Sequence, residues 1–227
     1  MSNGKLSLNV KEKFPTIEEI SFQVLIEAYK EMFKSSEYNL NWEEEQFNQE
    51  LVVFMKKSQF RTKYKLSIGV ERKLFNENEL PINDNNPKKL PRIDINIVSW
   101  SFAQDKELEY FFEAKNLYEN DYKKKVASKY INRYIDTGIE NFRKGRYYNG
   151  SLIAYILNGN ITKIIDKLNI QLTKERKNKN KATNHLSSID KKNYIKKFDH
   201  CYESKHLTPE KEEMLIKHIF LKFSEKG

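Results

Sequence analysis

Two neighbouring segments rich in β-branched and aromatic residues constrain the fold of this 227-residue chain more than any other feature. Residues 92–100 read Arg-Ile-Asp-Ile-Asn-Ile-Val-Ser-Trp, and residues 108–117 read Leu-Glu-Tyr-Phe-Phe-Glu-Ala-Lys-Asn-Leu. Residues of these types pack well on the pleated, half-buried surface of a sheet. The two segments are therefore predicted to be adjacent central strands.

Periodicity predicts helices and further strands around this pair. Residues 17–58 are expected to form two helices, because apolar side chains recur three and four residues apart with a break near residues 39–42. Residues 214–223 suit a strand or a helix equally well. The other expected elements are a strand at 64–75, a loop at 76–91, a helix at about 122–143, a buried strand at 151–157, a helix from 161 to about 174, and a basic surface loop at 174–182, either solvated or contacting phosphate.

This alternation of elements predicts an α/β fold with a mixed central β-sheet flanked by helices. A chain of this length can bury one sizeable core, so a single domain over residues 1–227 is expected. Its parts would be a helical N-terminal part at about 17–58, a sheet core at about 64–160 and a C-terminal extension at 161–227.

The formal net charge of +9 favours a polyanionic partner, because clustered Lys and Arg displace the counterions condensed on nucleic acid. A Lys- and Asn-rich genome would explain the same charge equally well. Cys201 is the only cysteine, so no intrachain disulfide can form, and a reducing, cytoplasmic location is expected. No apolar run approaches the length needed to cross a bilayer, so no membrane association is expected.

Asp94, Glu113 and Lys115 carry the candidate chemistry. Successive side chains of a strand point to opposite faces, so Glu113 and Lys115 emerge on one face while Ala114 turns away. Asp94 is the only carboxylate of an apolar strand, and burying it costs roughly several kcal/mol unless it is paired or binds a metal. Two antiparallel strands and a turn fit between Asp94 and Glu113, so both acids can meet at one divalent cation. The structural alternative is a buried ion pair between Asp94 and Lys115.

The Glu-x-Lys pattern is weak by itself in so charged a chain, and its position has to discriminate. The pair Glu113 and Lys115 lies in a predicted apolar strand and follows an acid in the neighbouring strand at a fitting distance. The pair at Glu175 is expected in a basic loop and the pair at Glu203 in a polar stretch, so neither has an apolar scaffold. The four occurrences are Glu71 with Lys73, Glu113 with Lys115, Glu175 with Lys177, and Glu203 with Lys205.

The segments Pro91-Arg-Ile-Asp94 and Phe112-Glu-Ala-Lys115 resemble the paired motifs of the PD-(D/E)xK phosphodiesterase superfamily, which is typical of restriction endonucleases and anti-phage nucleases. Pro91 stands three residues before the acid, whereas the usual motif places Pro directly before it. Asp84 in Pro81-Ile-Asn-Asp84 is a rival first acid, but it falls in an expected loop, so Asp94 is preferred. The resemblance implies a restriction endonuclease-like core and a Mg²⁺-dependent endonuclease acting on DNA in defence or restriction.

The resemblance also implies roles for individual residues. Asp94 and Glu113 would hold one or two Mg²⁺ ions, for which Mn²⁺ can substitute, and Lys115 would orient a water or stabilise transition-state charge. Glu44 would add an outer ligand from a helix, since it shares a face with Phe47 and Leu51; the alternative is an ordinary acidic helix N-terminus. Nucleic-acid contacts are expected from a basic cluster comprising Arg143, Lys144 and Arg146.

Two other functions remain open at this point: a non-catalytic nucleic-acid-binding subunit of a defence complex, and an RNA-directed nuclease with the same site. Because the chain leaves little room for a domain that reads sequence, the target is expected to be selected by a helicase or ATPase partner or by a homodimer. Zinc is not expected at His200, Cys201 and His206, whose spacing matches no common zinc pattern. His206 and His218 are instead expected in the core or at a strand edge.

Overall fold

In the computed structural model, which describes residues 15–73, 92–101, 106–147, 149–177 and 184–223, the chain is an α/β protein with a seven-stranded mixed sheet flanked by helices. This confirms the predicted fold class. The helices are α1 (Ile17–Ser35), α2 (Glu44–Lys57), α3 (Gln59–Lys63), α4 (Ala127–Arg133), a π-helix (Tyr134–Ile139), α5 (Glu140–Arg143) and α6 (Ile161–Lys177). The strands are β1 (Ser67–Lys73), β2 (Arg92–Ser101), β3 (Lys106–Tyr118), β4 (Gly150–Asn158), β5 (Asp190–Lys192), β6 (Cys201–Leu207) and β7 (Glu213–Lys222).

The strand order is β1-β2-β3-β4-β7-β6-β5. The first three strands form an antiparallel meander, β3, β4 and β7 are parallel, and β7, β6 and β5 are antiparallel again. The chain crosses from β3 to the parallel β4 through α4, the π-helix and α5, as parallel pairing requires. The segment expected as a C-terminal extension supplies β5, β6 and β7. These strands belong to the same sheet as the others, because β7 pairs with β4.

Both faces of the central strands are covered by helices. Every residue of β3 from Tyr110 to Tyr118 is buried, which explains its nearly continuous apolar sequence. Phe112 and Ala114 pack in the core beneath α1 and α2, whereas Phe111 and Leu117 pack in the core formed with α4, the π-helix and α6. A polar side chain on β3 is therefore accessible only where one of these layers ends.

Most of the predicted elements are confirmed, including the two N-terminal helices, the central strands and the strand alternative for 214–223. The predicted helix at 122–143 begins later, at Ala127, and is interrupted by the π-helix. The loop prediction is wrong at 174–177, where α6 continues, and residues 178–183 lie outside the described residues, as do 76–91. Strands β5 and β6 were not predicted.

Candidate active site

The candidate site lies where β2 separates from β3. The ladder between the two strands ends at the pair Ile95 and Phe112, although β2 continues to pair with β1 as far as Arg92. One residue beyond the end of the ladder, the Asp94 carboxylate accepts a hydrogen bond from the backbone N–H of Ala114, with Oδ2 2.7 Å from the nitrogen. The side chain thus replaces the strand partner that β3 has lost.

A second carboxylate replaces the partner one step further along β3. Glu44, the first residue of α2, accepts a hydrogen bond from the backbone N–H of Asn116 through Oε1 at 3.1 Å. Alternate backbone N–H groups of a strand point to the same side, so Ala114 and Asn116 both point into the gap beside β3. Glu44 is 4% exposed, because α2 packs directly on the sheet at this point.

The Lys115 ammonium lies among the three carboxylates. Its Nζ is 2.6 Å from Glu113 Oε1, 3.8 Å from Glu44 Oε2 and 3.9 Å from Asp94 Oδ2, and it donates a hydrogen bond to the Ala114 carbonyl at 2.8 Å. Gly138 of the π-helix faces the aliphatic stem of Lys115, since a Cβ added at Gly138 would lie 3.8 Å from Lys115 Cγ. Four residues predicted from the sequence as a site, Asp94, Glu113, Lys115 and Glu44, are therefore brought together in space.

Electrostatically, the cluster carries more acid than base. Burial raises the pKa of Glu113 to about 7, and repulsion from Asp94 adds to that effect while Lys115 opposes it. Burial also raises the pKa values of Asp94 and Glu44. Burial alone would lower the pKa of Lys115, but Glu113, Glu44 and Asp94 together hold it above its usual value. Glu113 Oε2 is buried without a hydrogen bond of ordinary geometry, and the Tyr147 side chain is close enough to interact with this carboxyl.

Arg133 is the site residue that sequence reasoning missed. Its Nη2 lies 3.0 Å from Glu44 Oε2, and its side chain is 49% exposed, so the guanidinium links the buried cluster to the surface. Arg133 ends α4, immediately before the π-helix. No motif marks this position, since its relation to Glu44 depends on how the crossover helix packs against the start of α2.

The predicted basic cluster is divided by the fold. Arg143 is buried, and its guanidinium donates two hydrogen bonds to the Glu140 carboxylate, at 2.6 and 2.9 Å, and one to the Leu207 carbonyl. Arg143 therefore has a structural role in joining α5 to the end of β6. Lys144 and Arg146 are exposed and remain candidates for contacting nucleic acid.

The rival Glu-x-Lys pairs lie elsewhere, and the secondary structure predicted for two of them is wrong. Glu175 belongs to α6 rather than to a loop, and Glu203 with Lys205 belongs to the paired strand β6. Glu71 is exposed and has a left-handed backbone with φ of 50°. None of these acids contacts the cluster around Lys115 in the described part of the chain, and Asp84 lies outside the described residues.

Three buried histidines form a separate hydrogen-bonded chain in the second half of the sheet. His206 and His218 are fully buried, which confirms their predicted place in the core. Within the described ranges, no group of three or more His, Cys, Asp or Glu side chains is arranged to hold a metal ion. The side chains are linked at 2.7 to 3.2 Å in the order Glu175, His185, His206, Ser204, His218 and Tyr134.

Comparisons with protein-family models, with curated proteins and with solved structures find no significant match. Function is therefore inferred from the geometry of the site. Among the helices that the structure describes, none is long and apolar enough to span a bilayer.

Proposed function

We propose that this protein is a metal-dependent nuclease that hydrolyses DNA phosphodiester bonds, with Asp94, Glu113 and Lys115 at its active site. The observation that supports the proposal best is the gap beside β3. There, Asp94 and Glu44 are anchored by backbone N–H groups, and both point towards the ammonium of Lys115 next to Glu113. Carboxylates fixed by backbone contacts can hold a cation without reorganisation, which is a requirement of a preorganised site.

The residues present fit Mg²⁺ in their chemistry, since carboxylate oxygens are its preferred protein ligands. The Glu113 oxygen without a hydrogen bond of ordinary geometry and the raised pKa of that carboxyl both indicate a place where a further cation would be stabilising. Asp94 and Glu113 would hold the ion, and Glu44 would contribute directly or through water. Glu113 can offer Oε2 to the ion while Oε1 keeps its contact with Lys115.

The side chains of the site then have separate tasks in hydrolysis. Asp94 and Glu113 would hold Mg²⁺, which would supply the activation of a water as nucleophile. Lys115 would stabilise the charge that develops on the phosphate in the transition state. Asp94 and Glu44 keep their positions through Ala114 and Asn116, so substrate binding does not have to order them.

A first experiment tests the activity and its substrate together. Supercoiled plasmid, linear duplex DNA, single-stranded DNA and an RNA of the same sequence are incubated with the protein in Mg²⁺, in Mn²⁺ and in EDTA. We expect cleavage of DNA that depends on the divalent ion. Cleavage of RNA alone would favour the RNA-directed alternative.

A role in anti-phage defence belongs to the same proposal. A helicase or ATPase partner, or a second copy of the chain, would select the target.

A non-catalytic DNA-binding subunit is the second candidate. It is favoured by the contact of Lys115 with Glu113, which already neutralises part of the acidic charge, and by the finding that the described acids are not arranged as a ready-made metal site. This reading predicts DNA binding that is indifferent to Mg²⁺ and unchanged when Asp94 is replaced. Binding without cleavage, also in the presence of candidate partners, would favour it.

A further inference from the structure

We propose that Lys124, Lys129 and Arg133 form the surface that binds the phosphates of duplex DNA and leads one strand to the candidate site. The inference rests on the proposed function, because it gives the acidic cluster a substrate-binding surface. It assigns phosphate contacts to the crossover between β3 and the π-helix, whereas the sequence placed them at residues 143–146.

The first part of this surface is a tight turn that follows β3. The backbone of Tyr122 and Lys125 exchanges two hydrogen bonds, at 3.0 and 2.9 Å, which places Lys123 and Lys124 at the tip. Lys123 Nζ donates a hydrogen bond to Asn41 Oδ1 at 2.5 Å, and Lys125 pairs with Glu43. The turn is therefore fixed to the residues that directly precede Glu44, beside the acidic cluster.

The second part is the exposed side of α4. Lys129 and Arg133 are four residues apart and thus lie on one face of the helix. Arg133 reaches Glu44 at one end of this face, and Lys129 lies one turn further from the cluster. A phosphate bound at Arg133 would lie next to the carboxylates, with Lys129 available to the neighbouring phosphates.

The two lysines of this surface are free to act outwards, whereas Arg133 pairs with Glu44 through Nη2 and is half-exposed. Lys123 and Lys125 are engaged with α2 and its preceding residues, but Lys124 and Lys129 are exposed and form no ion pair with any described residue. Two of the nearby acids have partners of their own. Asp121 accepts a hydrogen bond from the Ala127 N–H, and Glu119 accepts one from the Asn160 N–H and pairs with Lys163.

A polyanion with evenly spaced negative charges fits such a surface. Duplex DNA presents phosphates along both strands, and each phosphate neutralised by Lys or Arg releases condensed counterions. Lys124 and Lys129, which have no ion-pair partner among the described residues, and the half-exposed Arg133 provide three contacts next to a site whose proposed substrate is that same backbone. The buried guanidinium of Arg143 cannot provide one without breaking its bonds to Glu140.

The test compares two double variants with equal loss of charge. Lys124→Ala with Lys129→Ala removes the proposed contacts, and Lys191→Ala with Lys196→Ala removes two exposed lysines in and just after β5, at the far edge of the sheet. Fluorescence anisotropy with a labelled duplex in EDTA measures binding without cleavage. We expect weaker binding and a salt dependence lower by about two phosphate contacts, a slope change of roughly 1.8, for the first variant only.

Several results would separate failure of this inference from failure of the proposed function. If the first variant binds DNA as tightly as the wild type while Glu113→Gln abolishes cleavage, the surface is wrongly placed and the nuclease stands. If the first variant loses binding but no protein cleaves DNA, the surface stands and the nuclease fails. Equal weakening of DNA binding by both double variants would overturn the proposed surface. So would a first variant that binds DNA normally and loses only its binding to vesicles of anionic lipid.

Discussion

The Asp94 carboxylate accepts the backbone N–H of Ala114 at the position where β2 leaves β3. The contact explains how an acidic residue is tolerated in an apolar strand, because the carboxylate satisfies a backbone donor that the departing strand no longer pairs. It also fixes the carboxylate next to Lys115. Structural and proposed catalytic roles of Asp94 are thus joined in one side chain, and substitutions can separate them.

Asp94→Asn is expected to preserve the fold and abolish metal-dependent cleavage. The Asn carbonyl can still accept the Ala114 N–H, whereas Asp94→Leu would leave that donor without a partner, which costs about 1–3 kcal/mol. Urea denaturation compares the two variants with the wild type. Equal destabilisation by Asn and Leu would show that the hydrogen bond to Ala114 is unimportant.

Lys115→Met is expected to destabilise the protein in EDTA, because it leaves Glu113 buried without its ion-pair partner; removal of one member of a buried pair costs about 3–5 kcal/mol. Mg²⁺ should raise the melting temperature of this variant more than that of the wild type, since the ion replaces the lost charge. Lys205→Met is the matched control, because Lys205 is exposed and pairs with Glu213 at the surface. A Lys115→Met melting temperature that does not respond to Mg²⁺ or Mn²⁺ would count against a metal in this cluster.

Arg143→Gln is expected to lower stability and to leave DNA affinity unchanged in the folded protein. The substitution removes the two hydrogen bonds to Glu140 and the contact with Leu207, at a cost of about 2–4 kcal/mol. Arg146→Gln serves as the control for stability only, since Arg146 is exposed. Thermal melts measure the stability of the variants, and fluorescence anisotropy on the same samples measures their DNA affinity. Unchanged stability with lost binding would return Arg143 to the nucleic-acid contacts.

The sequence predicted those parts of the site that depend on local periodicity. Period-two alternation placed Glu113 and Lys115 on one face, and the helix face shared with Phe47 and Leu51 selected Glu44. Arg133 could not be found in this way, because its neighbour Glu44 is 89 positions distant in the chain. Strand β6 was missed because its inward positions include Ser204 and His206, which hydrogen-bond to each other and give no apolar alternation.

His218 is expected to make the fold sensitive to acid. Burial lowers its pKa to about 3, below the usual value of 6.5, so the unfolded chain binds a proton that the folded chain excludes. This contribution to stability is present above pH 6.5 and is lost as the pH falls from 6.5 towards 3. His218→Gln removes it, so the stability difference between wild type and variant should shrink over that range. A difference that is independent of pH would contradict the assignment.

The histidine chain also predicts which ring nitrogens carry protons. An ionised Glu175 only accepts, so His185 donates to it through Nε2 and accepts from His206 Nδ1, which in turn leaves His206 Nε2 to accept from Ser204. His218 then donates through Nε2 to Ser204 and accepts from Tyr134. Nitrogen-15 chemical shifts of the rings should show these neutral tautomers at pH 7, and a protonated His218 would contradict them.

The measurement that tests the central claim most directly is Mg²⁺-dependent nicking of supercoiled plasmid by the wild type and by Asp94→Asn, with the folding of both proteins checked by their melting curves. We predict nicking by the wild type that EDTA abolishes, and none by a variant that melts within a few degrees of it. Equal nicking by both folded proteins would contradict the assignment of the active site to the gap between β2 and β3.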